Sequence, residues 1–234
     1  MNKHRFPHPA AVYLVLLVLA ILVSWIGGVY GMKGGSGNGI IVRSLLDTQG
    51  LRWMISHSVS ALSDAPVGNA MLLLSIIGIV RGSGIPGVLS RLYRKGEIAY
   101  KERLGIAFAA SLFLIITALY LWGVFGADHV LLGITGSVTS GPLPAGALFL
   151  LFILISLPAT VLGFMTDRFR SADDVLRALV SLYGRYATFF LTMLIASQFL
   201  AVLEYSRLSL VMGLAPSGFR ILSFIIYWLP LLVI

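Results

Sequence analysis

The chain has 234 residues, 58% of them hydrophobic and 11% charged, with 17 basic residues against 9 acidic ones and no cysteine. Its mean hydropathy is +0.95, a balance that excludes a soluble globular domain. The lack of cysteine excludes disulfides, thiolate metal sites and cysteine nucleophiles. The length leaves room for about six spans of roughly 20 residues each. We therefore expect an all-α, polytopic transmembrane helical bundle forming a single membrane domain over residues 1–234.

The first span covers about residues 10–30, after a basic, proline-containing start. Its apolar run is long and has no small-x-small cleavage site around Ser24-Trp25-Ile26, so an uncleaved anchor is expected rather than a removed signal. Residues 34–39 (Gly-Gly-Ser-Gly-Asn-Gly) read as a flexible link. No strand precedes them and no Lys-Ser or Lys-Thr follows, which excludes a phosphate loop. Over residues 40–62, Leu51, Met54, Ile55, Val59 and Leu62 recur at helical spacing, while Arg52, Ser56 and Ser60 fall elsewhere. That pattern predicts an amphipathic segment along the membrane surface or across the top of the bundle, with Trp53 at the interface.

The second span, about residues 67–89, contains Gly82, Gly84, Pro86 and Gly87, which predict an interrupted helix near 84–86. A break at membrane depth must be covered by protein. A charged stretch over 91–103 separates it from spans at about 104–125 and 143–165. Ser171 is expected to start a further helix, with Asp173 and Asp174 favouring its N-terminus. That helix continues into the fifth span, about 179–203, and a sixth follows at about 217–234.

The basic residues sit between the apolar blocks, where they read as topology signals and lipid contacts rather than a nucleic-acid surface. With six spans and the N-terminus inside, 12 of the 17 basic residues face inward, leaving Lys33, Arg43, Arg52, Arg207 and Arg220 outside. This obeys the positive-inside rule and places both termini in the cytoplasm.

Ionisable groups at membrane depth are the first functional candidates, because a charge near the bilayer centre costs at least about 2.5–3.5 kcal/mol. Arg185, Gln198 and Glu204 share the predicted fifth helix and are the weak substrate-binding candidates. Each also has a structural reading. Arg185 snorkels to headgroups; Glu204 pairs with Arg207 three residues on; Gln198 hydrogen-bonds across to another helix. Gln198 and Glu204 differ in depth by about 9 Å on a continuous helix, with Arg185 roughly 20 Å below Gln198. His4, His8, His57 and His129 show no metal spacing. There is no Gly-x-Ser-x-Gly, no Ser/Lys dyad and no buried carboxylate pair, so neither a catalytic residue, a metal nor a cofactor is expected, and the chain does not read as an enzyme. Gly27-x-x-x-Gly31 is a weak close-crossing motif at the end of a span.

His8-Pro9 leading into a span that ends Ser24-Trp25 resembles the opening of the p-aminobenzoyl-glutamate transporter (AbgT) family. So do Ser44-Leu45-Leu46, Gly50-Leu51-Arg52-Trp53-Met54, Pro66-Val67-Gly68 and Ile77-Gly78-Ile79. The likeness resumes at Glu102-Arg103-Leu104-Gly105 and Ser140-Gly141-Pro142, and is strongest from Phe169-Arg170-Ser171 through Asp174-Val175 and Tyr186 to Ser197-Gln198-Phe199 and Ser206. The resemblance implies an elevator-type secondary transporter of the bacterial inner membrane, whose substrate and coupling-ion residues lie in two re-entrant hairpins. Between Lys95 and Glu102 this chain has six residues where the family has its first hairpin, and Ile234 precedes the second. What remains resembles the family's dimerising scaffold, so no family substrate-binding residue is carried over. The physical reading agrees: one break, at 82–87, with no matching break in the other half, where transporters use two.

The expected function is therefore that of an AbgT-like membrane protein, ion-coupled and carrying p-aminobenzoyl-glutamate-like anions or antimetabolites, or the scaffold part of such a transporter. The alternative is a non-transporting subunit that holds a partner membrane protein. Membrane lipid and a second copy of the chain are the expected partners, without nucleic acid.

Overall fold

The computed structural model describes residues 8–31, 41–94, 99–126, 131 and 142–233. The glycine link at 34–39, His4 and His129 lie outside these. The fold is all-α: α1 Pro9–Val29, α2 Thr48–Ser63, α3 Val67–Ser83, α4 Ile85–Tyr93, α5 Tyr100–Phe125, α6 Pro142–Met165, α7 Ala172–Val180, α8 Ala187–Tyr205, α9 Leu208–Val211 and α10 Pro216–Val233. Among the described residues, α1, the run Thr48–Ser83, α5, Gly146–Met165 of α6 and α8 are long and apolar enough to cross a membrane. The chain forms two compact units, residues 1–67 with 186–234, and residues 68–185.

In the first unit α1 packs along α8, and α2 and α10 pack on α8 as well. Its core joins Ala20, Val42, Leu45, Val202, Leu203 and Leu208. A non-helical stretch, residues 41–46, lies against the end of α1. Ser24 ties it there, donating to the Ile21 carbonyl at 2.8 Å and accepting the Leu45 N–H at 3.3 Å. The Arg43 N–H donates to the Ser206 carbonyl at 3.1 Å. Gly27 and Gly28 leave room for Val42 and Ser44, so this glycine pair admits a non-helical segment, and Gly31 faces open space. The Asp47 carboxylate caps α2 by accepting the Gly50 N–H at 2.6 Å. Trp53 packs inward, stacked between His57 and Tyr205 at 5.0 and 4.2 Å. Ile55 and Val59, about three-quarters exposed, face away from this packing.

In the second unit α5 packs along α6, with the Tyr120 hydroxyl donating to the Leu150 carbonyl at 3.0 Å. The predicted break is present. Gly84 takes a left-handed φ of +78°, and α4 restarts with Pro86 in its first turn. Protein covers the break: Phe169 joins Ile79, Ala159 and Ala178 in one buried cluster, and the Arg168 side chain lies across Gly84. Ser171 starts α7 as expected, through a reciprocal capping box with Asp174. The Asp174 carboxylate accepts the N–H groups of Arg170 and Ser171, and the Arg170 N–H above all holds it below the usual carboxylate range.

One expectation changes. The helix predicted to run through 179–203 stops at Val180, turns over 181–186 and restarts at Ala187. Ser181 turns both its N–H and its hydroxyl back onto the Ala178 carbonyl, at 3.4 and 2.7 Å, which closes α7. A second interruption thus exists beside the one at Gly84, where the sequence showed only one. Arg185 lies in this turn and not on the helix that carries Gln198 and Glu204, so the depth measured along a continuous helix does not apply to it.

Candidate functional site

Inside lipid a polar side chain must find its partner within the protein. Gln198, near the middle of α8, donates from Nε2 to the Ser58 carbonyl of α2 at 2.8 Å, the interhelical bond expected of it. Such bonds average about 0.6 kcal/mol in membranes, but they fix register. The Tyr13 hydroxyl of α1 donates to the Ile226 carbonyl of α10 at 3.0 Å. In the second unit Ser75 of α3 and Tyr183 share a hydrogen bond of 2.7 Å. The Ser156 hydroxyl of α6 is buried without a partner among the described residues.

Glu204 does not pair with Arg207. Two ion pairs are found among the described residues, Arg91 with Glu102 and Lys101 with Asp167, the latter at 2.6 Å. The reason is the backbone. Arg207 lies beyond the end of α8 with φ +60°, at the N-cap of α9, so the three-residue spacing no longer shares a helix face. Glu204 instead lines a hollow of 380 Å³ with Ser209, Leu210, Leu214, Pro216, Phe219 and Arg220. On another side of the same helix end, Arg43, Asp47, Gln49 and Tyr205 line a second polar hollow of 390 Å³. Sequence reasoning missed Arg220 as a companion of Glu204, because only the short α9 turn brings the start of α10 back beside the end of α8.

At the charged end of the second unit, Asp167 sits in the loop after α6. The hydrogen bond and charge of Lys101 hold its carboxyl below the usual carboxylate range. His8 caps α1 by accepting the Ala10 N–H at 3.2 Å, and His57 stacks on Trp53. No group of three or more metal-binding side chains occurs among the described residues. Gln198 and Glu204 stay about 9 Å apart along α8, and Gln198 is already hydrogen-bonded.

Long apolar helices, tied to each other by single polar bonds and broken at a protein-covered glycine, define a multi-pass α-helical membrane protein. The chain belongs to the AbgT transporter family, whose pattern matches residues 89–225, and the fold is that of a membrane transporter. The fold matches MtrF of Neisseria gonorrhoeae, described among a class of antimetabolite efflux pumps, with a TM-score of 0.76 at 17% identity over 92% of this chain and 74% of that one. It also matches the YdaH transporter of Alcanivorax borkumensis, described as having an unusual topology, with a TM-score of 0.77 at 15% identity over 88% of this chain and 72% of that one. At these identities the likeness is one of fold. No curated protein matches the chain.

Proposed function

We propose that this chain supplies the scaffold of an ion-coupled AbgT-type transporter for p-aminobenzoyl-glutamate-like anions or antimetabolites, and that it works as a homodimer in the bacterial inner membrane. The observation that carries the scaffold role is the Gln198–Ser58 bond. The more central of the two sequence candidates on α8 binds neighbouring backbone, not an open site. The antimetabolite cargo rests on family membership and on the efflux role described for MtrF.

Lipid gives no hydrophobic drive to pair such helices, so association comes from close packing and scattered hydrogen bonds. Gentle cross-linking in native membranes should trap a dimer. Monomer alone, across a range of linker lengths, would remove the scaffold's main support. The basic-residue asymmetry supports cytoplasmic termini. Reporter fusions at Gly96 and Ser171 should read cytoplasmic, and fusions at Gly37 and Ser137 external. An external Gly96 would contradict the six-span arrangement.

A further inference from the structure

Beside the break at Gly84, α4 stands over an apolar hollow that the scaffold role does not explain. The hollow measures 200 Å³ and lies between α4, α5 and α6. Ile85, Val88 and Leu92 line one side of it, and Ile106, Ala110 and Leu162 the other. Leu89 and Leu92 stand at its edge, 61% and 53% exposed. The same two leucines border a shallower apolar depression on the outer side of α4, with Pro86, Ser90 and Tyr93. The two hollows are thus the two flanks of one leucine ridge.

Charge and depth narrow the occupant. Arg91, next to Leu92, pairs with Glu102, one turn ahead of Ile106, so the charged ends of α4 and α5 close the same end of the hollow. Arg94 caps α4 there, its N–H bonded to the Ser90 carbonyl at 3.1 Å. Arg103 shares the α5 face of Ile106 and Ala110. Both arginines are exposed, and neither is in an ion pair among the described residues. Tyr93 and Tyr100, 90% and 79% exposed, flank them, as aromatic rings do at a membrane interface. At 26 residues, α5 is about 39 Å long and exceeds the roughly 30 Å hydrocarbon core, so its charged first turn reaches the headgroups. Ala110 lies about 10 Å further along that helix than Arg103. The hollow therefore runs inward from headgroup level.

We infer that this site holds one anionic phospholipid of the phosphatidylglycerol kind. Its phosphate meets the Arg94 and Arg103 guanidinium groups, one acyl chain fills the hollow, and the other lies across the leucine ridge. Guanidinium matches phosphate geometry. A zwitterionic headgroup brings a further cation to a rim that already carries two. A symmetric contact with a second copy through this face would set the same arginines against each other. The site depends only on the second unit and is independent of the cargo.

Native mass spectrometry of the purified protein, titrated with phosphatidylglycerol, phosphatidylethanolamine and phosphatidylcholine of matched chains, tests this. Phosphatidylglycerol should bind about tenfold tighter than either, the scale of two arginines at a membrane surface. Arg94→Gln combined with Arg103→Gln should erase that preference, whereas Arg52→Gln, on an exposed face of α2 in the other unit, should leave it intact. Ala110→Phe, which fills the hollow from an exposed position, should weaken all three lipids and keep their order. Equal binding of the three lipids by the unaltered protein would overturn the inference, and needs no variant to fold. So would an equal loss of preference in Arg52→Gln, or displacement of the lipid by water-soluble glycerophosphoglycerol, which would show that the hollow contributes nothing. Unchanged lipid binding in Ala110→Phe would overturn it too, and a dimer lost in that variant would assign the face to a second copy.

Discussion

Gly78→Ala should lower the thermal midpoint of the purified protein sharply, while Gly146→Ala leaves it unchanged or raises it. Both glycines are inside helices, and alanine is intrinsically the better helix former by about 1 kcal/mol. Their surroundings differ. A Cβ on Gly146 meets nothing, whereas one on Gly78 would approach the Ala178 carbonyl oxygen of α7 closer than 3.0 Å. The obstacle is backbone, held at the last turn of α7 where Ser181 also bonds the same carbonyl, so it cannot swing aside as a side-chain end does. Adding one methyl group must then separate α3 from α7 and open the cluster of Ile79, Phe169 and Ala178. Overpacking of this kind costs about 1–3 kcal/mol, occasionally more, which outweighs the propensity gain. Equal midpoints for the two variants, read by fluorescence-detected thermal unfolding, would contradict the close contact.

The elements legible in the sequence were those set by one strong local rule. An apolar run of bilayer length located α1, α5 and α6. Ser171, ahead of a helical pattern, caps α7 as such residues do. Gly84 with Pro86 announced a break, since glycine takes the left-handed turn and proline suits a helix start. Gln198 was legible for the opposite reason. An amide at depth has few fates, and bonding a neighbouring helix is the commonest.

The turn at 181–186 was not legible, because the apolar and aromatic residues around it fit a helical pattern as well as a turn. What ends α7 is Ser181 bonding back to Ala178, and serine occurs throughout membrane helices. The Glu204–Arg207 pair failed for a related reason. Spacing arguments assume a continuous helix, and a single positive φ at Arg207 breaks that assumption. The hollow with Ser209 and Arg220 is a product of chain reversal through α9, which no local pattern announces.

On the scaffold reading proposed above, Gln198 and Glu204 of α8 do not form a cargo site. Ion-coupled transport needs a desolvated site whose polar groups replace the hydration of cargo and ion, built where broken helices expose backbone. Here Gln198 is engaged by Ser58, Glu204 lies at the surface end of α8, and Arg185 is in the turn that precedes it. The break at Gly84 is covered by Phe169 and Arg168. The most direct measurement is uptake into liposomes containing only this chain, under an imposed proton or sodium gradient. No gradient-driven accumulation of p-aminobenzoyl-glutamate or a sulfonamide above empty vesicles is expected. Robust uptake that Gln198→Ala abolishes would contradict it, and would make α8 part of the transport site.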